Sequence, residues 1–301
     1  MQSAIQTINL TKTYGKSRGI QDVNLDIRPG EVFGFLGPNG AGKSTTLRTL
    51  TGLMKPTSGQ CLIMGTDPHT HPVEALSKIG NLPTEFSLED RASGRSLVNY
   101  FAALRGGVDT SFADEIAKRI DADLDRPVRK LSRGNKQKIG IVLALFHRPP
   151  VAILDEPTGG LDPLVQEQFL EILREAKQQG QTILFSSHVL SEVERIADRV
   201  GIIREGEMIA VEDPHVLTSK AIRKVRVRFP EGMDAAHIDP ISRLSGIDHV
   251  NWQAPFLMFD YSGDANALVR TLASFDLDMI DIERPSLEEI FLGYYGQGGA
   301  A

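Results

Sequence analysis

Along the first two thirds of the chain, short apolar runs alternate with stretches in which apolar residues recur every three or four positions. Val32–Leu36, Val151–Leu154 and Thr182–Ser186 are too short for helices and read as buried strands. Between the last two, Val165, Phe169, Ile172, Leu173 and Ala176 fall at helical spacing, and Gly180 supplies a stop. A strand, a crossover helix and a second strand predict a parallel pair, so the expected class is α/β with a parallel sheet.

From about Glu85 to Leu145 the pattern turns helical, with Val98, Phe101 and Leu104 on one stripe and the turn GGVDTS interrupting it. This predicts a helical insert. Gly201–Glu212 reads as a hairpin turning at Glu205 and Gly206. The composition shifts near Thr218, which suggests a first domain over 1–218 and a small α+β domain over 219–296. In the latter, Val225–Phe229, Leu257–Tyr261 and Met279–Ile282 are strand candidates, and Ala265–Phe275 is helical. A last helix is expected from Ser286, where Ser286 and Glu289 form a capping-box pattern, before a tail, 297–301, expected to be disordered. Arg223, Lys224, Arg226 and Arg228 alternate with Val225, Val227 and Phe229, the wet face of a half-buried strand rather than a nucleic-acid patch.

Composition narrows the setting. At 301 residues with 41% apolar content, the chain can bury a sizeable core. The single Cys61 cannot form an intrachain disulfide, and no signal peptide is legible at the N-terminus, so a cytoplasmic location is expected. No run approaches the roughly 18 apolar residues of a spanning helix, so any membrane role needs a partner. A net charge of −6 argues against a general nucleic-acid binder.

The sharpest chemical signal is GPNGAGKST: Gly37, Pro38, Asn39, Gly40, Ala41, Gly42, Lys43, Ser44 and Thr45, placed between a strand and a helix. Glycines there let backbone N–H groups wrap a β-phosphate, the helix N-terminus adds partial positive charge, and Lys43 can reach β and γ oxygens. Ser44 would ligate Mg²⁺. By itself this loop does not separate kinase, GTPase and transporter subunit.

VAILDE, Val151–Glu156, ends in adjacent carboxylates at the edge of a parallel sheet where ligands bind. Asp155 would hold Mg²⁺ through water; Glu156, pointing the other way, is placed to polarise an attacking water. The bland alternative is a pair of surface carboxylates. His188 follows the strand TILFSS and should emerge at the same edge, within reach of a γ-phosphate or the attacking water.

Together these residues resemble the ATP-binding subunit of ABC transporters, in an ordered set spanning nearly all of 1–212. GPNGAGKST resembles Walker A, VAILDE Walker B, and GGLDP (Gly159–Pro163, with Asp162) the D-loop. Tyr14 looks like the adenine-stacking aromatic, and His188 like the switch histidine. LSRGNKQ, Leu131–Gln137, resembles the signature, with Ser132 and Gly134 just before a helix expected over Asn135–Phe146. The resemblance implies a P-loop NTPase core with an antiparallel N-terminal β part, and ATP and Mg²⁺ as cofactors. It further implies a head-to-tail homodimer in which each ATP lies between one copy's phosphate loop and the other's signature. An integral membrane permease is the implied partner, placing the chain on the inner face of the cell membrane as an exporter subunit.

Two departures qualify the match. Arg133 and Asn135 replace the usual glycine and glutamine of the signature, and Arg133 either faces a γ-phosphate or points to solvent, the latter being favoured. Thr84 stands where the family places a glutamine after the proline matched by Pro83; it offers one oxygen towards the metal, not the long amide. The competing function is a soluble ABC-type ATPase acting on nucleic acid or ribosomes, whose examples usually carry duplicated cassettes or long coiled-coil insertions. A GTPase would need NKxD, and Asn135–Lys138 ends in lysine.

Overall fold

The computed structural model describes residues 3–15, 17–219, 223–230 and 238–283. The chain divides into two compact units between Pro214 and His215. In chain order the first unit runs β1 (Ile5–Tyr14), β2 (Ser17–Ile27), β3 (Val32–Leu36), α1 (Lys43–Leu50), β4 (Ser58–Ile63), α2 (Pro72–Ser77), β5 (Ile79–Leu82), α3 (Gly94–Leu104), α4 (Ser111–Arg119), α5 (Arg133–Leu145), β6 (Val151–Asp155), α6 (Pro163–Gln178), β7 (Thr182–Ser187), α7 (Leu190–Glu194), β8 (Arg199–Arg204) and β9 (Glu207–Glu212).

Two sheets carry this unit. β2, β1 and β4 form an antiparallel sheet, and a six-stranded sheet has the order β5-β6-β7-β3-β8-β9. The first five strands of the larger sheet are parallel, and β9 closes it antiparallel to β8. β3, β6 and β7 are buried at every residue, as strands covered on both faces must be. Their ends are in register: Leu36 of β3 lies opposite Ser187 of β7, and Ser186 lies opposite Asp155 of β6. The β8–β9 turn has left-handed backbone at both Glu205 (φ 50) and Gly206 (φ 83), the primed turn that suits a tight hairpin.

The helical segment between β5 and β6 differs in detail from the sequence expectation. α3 buries Gly94, Val98 and Ala102, while Phe101 and Leu104 stay exposed, Leu104 at 65%. The stripe Val98, Phe101, Leu104 is therefore not a core face: the i, i+4, i+8 row through Val98 points inward, and the neighbouring row points out. α5 begins at Arg133, two residues earlier than expected, because the Ser132 hydroxyl accepts the Asn135 N–H (3.2 Å) and caps the first turn. α5 runs close to β5; a Cβ at Gly80 would sit 2.0 Å from the Ala144 carbonyl oxygen.

Arg105, just past α3, donates to the carbonyl oxygens of Ser77 (3.2 Å) and Ile79 (2.9 Å), tying the insert to the start of β5. His147, beyond the end of α5, lies in the same region with both ring nitrogens buried and outside hydrogen-bonding geometry. Burial, first, and the Arg105 charge, second, push its pKa down to about 4, against a smaller opposing pull from the Ile79 backbone.

The second unit follows α8 (Pro214–Ser219), which straddles the boundary, and contains β10 (Arg223–Arg228), α9 (Asp239–Ser242), β11 (Ile247–Gln253), β12 (Phe256–Tyr261), α10 (Ala265–Leu272) and β13 (Met279–Glu283). The β-α-β-β-α-β succession builds an antiparallel sheet of order β11-β12-β10-β13, a split βαβ arrangement. Val225 and Val227 of β10 and Phe229 just beyond it enter the core with Leu257, Phe259, Tyr261, Leu268 and Leu272. Lys224, Arg226 and Arg228 face outward, as their alternation predicts, with Arg226 stacked on Phe256 at 4.2 Å. The helix expected from Ser286 and the tail at 297–301 lie outside the described residues.

A histidine held neutral in the fold but free to protonate when unfolded costs stability as the pH falls from its unfolded value of 6.5 towards 4. His147→Leu should therefore show a shallower loss of unfolding free energy than the wild type across that window. Chemical denaturation at stepped pH measures it, and parallel curves for the two proteins would contradict the burial effect.

Candidate functional site

The phosphate loop leaves β3 at Leu36 and enters α1 at Lys43. Gly40 (φ 80) and Gly42 (φ 110) occupy left-handed backbone, and a Cβ at Gly40 would meet nothing within 4 Å, so the loop is open there for close approach of a ligand. No acidic residue lies in the first turn of α1 to compete for its N-terminal N–H groups. Lys43, 5% exposed, donates to the carbonyl oxygens of Gly37 (2.7 Å) and Pro38 (3.2 Å), which curl the loop around its ammonium. Tyr14, at the end of β1, is 43% exposed, and its hydroxyl lies 3.4 Å from that of Thr45. The aromatic ring and the phosphate loop are thus neighbours although they belong to different sheets.

The ends of β6 and β7 complete this side of the site. The Glu156 carboxylate lies 3.3 Å from Lys43 Nζ through one oxygen and 3.4 Å from His188 Nδ1 through the other. Asp155, 3% exposed, accepts a 2.6 Å hydrogen bond from the Ser186 hydroxyl, which in turn accepts the Glu156 N–H at 2.9 Å. Glu156 itself adopts left-handed backbone, φ 48, and its carbonyl accepts the Gly159 N–H at 3.1 Å. Ser186, which the sequence pattern does not mark, thus bonds the Asp155 carboxylate and the Glu156 backbone together. The signal available was a pair of serines ending an otherwise apolar strand.

Other expected site residues lie apart from this cluster. Ser132 caps α5, and Gly134 abuts the turn after Glu156, its Cβ position lying 3.0 Å from the Gly160 carbonyl oxygen. Gln137 Nε2 reinforces that contact by donating to the Pro157 carbonyl (3.0 Å). Asp162 caps α6, accepting the Val165 N–H at 3.0 Å. Among the described residues, no hydrogen bond or ion pair joins Ser132, Gly134 or Asp162 to the loop Gly37–Thr45. Arg133 is exposed. The Thr84 hydroxyl is buried without a hydrogen-bond partner, so it keeps a free lone pair, but no described contact links it to Ser44 or Asp155.

No group of three or more His, Cys, Asp or Glu side chains forms a metal cage among the described residues. One carboxylate and one hydroxyl beside a phosphate loop are the donor set expected for Mg²⁺, which keeps waters and draws on phosphate oxygens instead of an all-protein cage.

A parallel sheet with a phosphate loop on one strand end and paired carboxylates two strands away defines a P-loop nucleotide hydrolase. The family described as ABC transporter matches residues 20–159. The bacitracin transport ATP-binding protein BcrA of Bacillus licheniformis is 39% identical over 69% of this chain and 69% of its own length. The linearmycin resistance ATP-binding protein LnrL of Bacillus subtilis (strain 168) is 30% identical over 97% of this chain and 98% of its own. The dimeric post-hydrolysis structure of the ATP-binding cassette MJ0796 bound to ADP and Pi superimposes with a TM-score of 0.64 at 25% identity, covering 70% of this chain and 98% of that one. The chain belongs to the ABC transporter family as an ATP-binding, ATP-hydrolysing protein.

Removing the Ser186 hydroxyl frees the Asp155 carboxylate and leaves the Glu156 N–H without its acceptor. Ser186→Ala should lower ATP turnover by about 10- to 100-fold, the scale of a misplacement near 1 Å in a reacting group. Steady-state phosphate release measures this, and wild-type turnover would show that Ser186 positions nothing of consequence.

Proposed function

We propose that the first unit binds MgATP and hydrolyses it to energise export through a separate integral membrane permease, two copies of the chain pairing head to tail around two nucleotides. The observation that carries the hydrolytic reading is the Lys43–Glu156–His188 chain of contacts at 3.3 and 3.4 Å, beside the phosphate loop. Gly37, Pro38, Asn39, Gly40, Ala41, Gly42, Lys43, Ser44 and Thr45 hold the phosphates, Tyr14 stacks on the base, and Ser44 and Asp155 hold Mg²⁺, with Thr84 as a further oxygen on that side. Glu156 polarises the attacking water, and His188 hydrogen-bonds it or the γ-phosphate. Phosphoryl transfer needs positioning and charge stabilisation more than covalent help, and these groups supply both.

Homodimerisation is supported by the separation seen within one copy. Ser132 and Asp162 cap α5 and α6, and no described hydrogen bond or ion pair joins them or Gly134 to the phosphate loop of their own chain, which fits their serving a nucleotide held by the partner. The second unit is an accessory domain. That relatives are named for bacitracin transport and linearmycin resistance supports an export role.

The membrane partner is supported by α3, whose outward row exposes Tyr100 (59%), Phe101 and Leu104 in a surface that water alone does not favour. No helix among the described residues is long and apolar enough to cross a membrane. Work at the cytoplasmic face of the membrane is part of this proposal and is supported by the transport names of the relatives. The alternative, a soluble ATPase acting on nucleic acid or ribosomes, draws little support from the basic strand β10, where Arg226 stacks on Phe256 and Arg228 faces Asp278.

Glu156→Gln should bind ATP and form a stable ATP-dependent dimer while losing about 10²- to 10⁴-fold in turnover, the usual contribution of a general base. Size-exclusion chromatography with ATP and a phosphate-release assay check the two halves of that statement. Hydrolysis at the wild-type rate would remove Glu156 from the role. Stimulation by nucleic acid, with no membrane protein co-purifying, would favour the alternative function.

A further inference from the structure

Beyond the residues that face the nucleotide, a second carboxylate organises the same strand end. Glu192, in the short helix α7, takes two hydroxyl donors on a single oxygen: Ser187 at 2.7 Å and Thr158 at 2.9 Å. Both donors are buried, Ser187 at 3% and Thr158 at 6% exposure. They come from the two segments that carry the reactive groups. Ser187 precedes His188, and Thr158 follows Glu156 by two residues.

The Ser187 hydroxyl also accepts the Val189 N–H at 2.9 Å, so it bridges the residues on either side of His188. Its one proton has two acceptors within reach, the Glu192 carboxylate at 2.7 Å and the Val189 carbonyl at 3.3 Å. The shorter, charge-assisted bond is the stronger. Thr158 in turn fixes the turn after Glu156, its carbonyl accepting the Leu161 N–H at 3.1 Å. The His188 side chain is 52% exposed, and Glu156 is its one described polar contact. Little besides its backbone therefore determines where the imidazole sits.

We propose that Glu192 is a positioning residue for ATP hydrolysis, clamping the His188 segment to the turn that follows Glu156 so that imidazole and carboxylate stay within reach of each other. This rests on the reading of Glu156 and His188 as the hydrolytic pair. Glu192 acts through the Ser187 and Thr158 hydroxyls that it accepts. The clamp also joins the β7 end to the turn that abuts the signature helix at Gly134. A movement of that turn on dimer closure would thereby be felt at His188.

The test is ATP turnover and ATP affinity of Glu192→Ala, Glu192→Gln and Glu192→Asp, each also made in a His188→Ala background. With the clamp removed, Glu192→Ala should lose about 10- to 100-fold in kcat, on the same misplacement scale, with ATP affinity within about twofold because the phosphate loop is untouched. Glu192→Gln keeps an oxygen acceptor for both hydroxyls and should recover turnover to within a few-fold. In the His188→Ala background the Glu192→Ala change should add almost nothing, since residues acting as a unit are non-additive.

Wild-type kcat for Glu192→Ala would overturn the proposal, as would an undiminished effect of Glu192→Ala without His188. Should Glu192→Ala fail to fold, Glu192→Asp, which withdraws the oxygen by one methylene, carries the same test: lowered kcat supports the clamp, unchanged kcat overturns it. Glu156→Gln run alongside keeps the outcomes apart, because wild-type turnover in that variant sinks the hydrolytic reading itself.

Discussion

A parallel sheet delivers side chains to a ligand only at the carboxyl ends of its strands, and here three adjacent strands end level with one another. Leu36 of β3 is opposite Ser187 of β7, and Ser186 is opposite Asp155 of β6. That register brings the phosphate loop, the paired carboxylates and the histidine into one cluster although they are spread over some half of the sequence. Because side chains alternate along a strand, slipping β7 by one residue would exchange the faces of Ser186 and Ser187. A slip that put Phe185 in that place would leave Asp155 without a hydroxyl donor, and one that put Ser187 there would take that hydroxyl from Glu192. The complete burial of all three strands guards against that slip, since every displaced residue would have to repack in a filled interior.

The chemistry at the strand ends follows from how the chain leaves them. Glu156 turns out of β6 in left-handed backbone, which for a residue with a Cβ costs on the order of 1–2 kcal/mol. Two hydrogen bonds offset it: the Glu156 N–H to Ser186 and the Glu156 carbonyl from Gly159. The turn swings the carboxylate between Lys43 and His188 instead of continuing along the strand beside Asp155. Two neighbouring carboxylates thereby acquire different surroundings, one buried against a serine hydroxyl and one between a lysine and a histidine. Separate roles for the pair rest on that difference.

Much of this was legible in the sequence because it depends on short-range pattern. Largely apolar runs of four or five residues read as buried strands, and the glycine spacing around Lys43 names a phosphate loop whatever surrounds it. Strand ends were one residue short, at Leu154 and Ser186, because polar residues there look like loop until a neighbour's hydroxyl or amide is known to pair with them. Ser186 and Glu192 were illegible for the same reason: a serine in a strand and a glutamate in a helix are ordinary until their partners, tens of residues away for Ser186, are placed. The row Val98, Phe101, Leu104 misled because helical spacing identifies a stripe but not which of two adjacent stripes is covered. β11 escaped notice because IDHVNWQ alternates poorly, with a register shift between Asp248 and Asn251 and left-handed backbone at His249.

What a single copy leaves undone is as informative as what it assembles. The signature start is anchored to the turn after Glu156 by Gln137 and by the close approach of Gly134 to Gly160, not to the phosphate loop of its own chain. In the proposed pair, each copy's signature would therefore move with its own 156–162 turn while contacting the partner's nucleotide, so closure at one nucleotide is felt at the hydrolytic groups of the other. Arg133 stands exposed at the start of α5 and adds a cation to that outward face without disturbing the cap made by Ser132. Thr84 is shorter than the glutamine expected at its position, but Arg105 already bonds the end of α3 to the start of β5, the strand that leads to Thr84. Those two hydrogen bonds connect the insert to the sheet independently of the side chain at position 84.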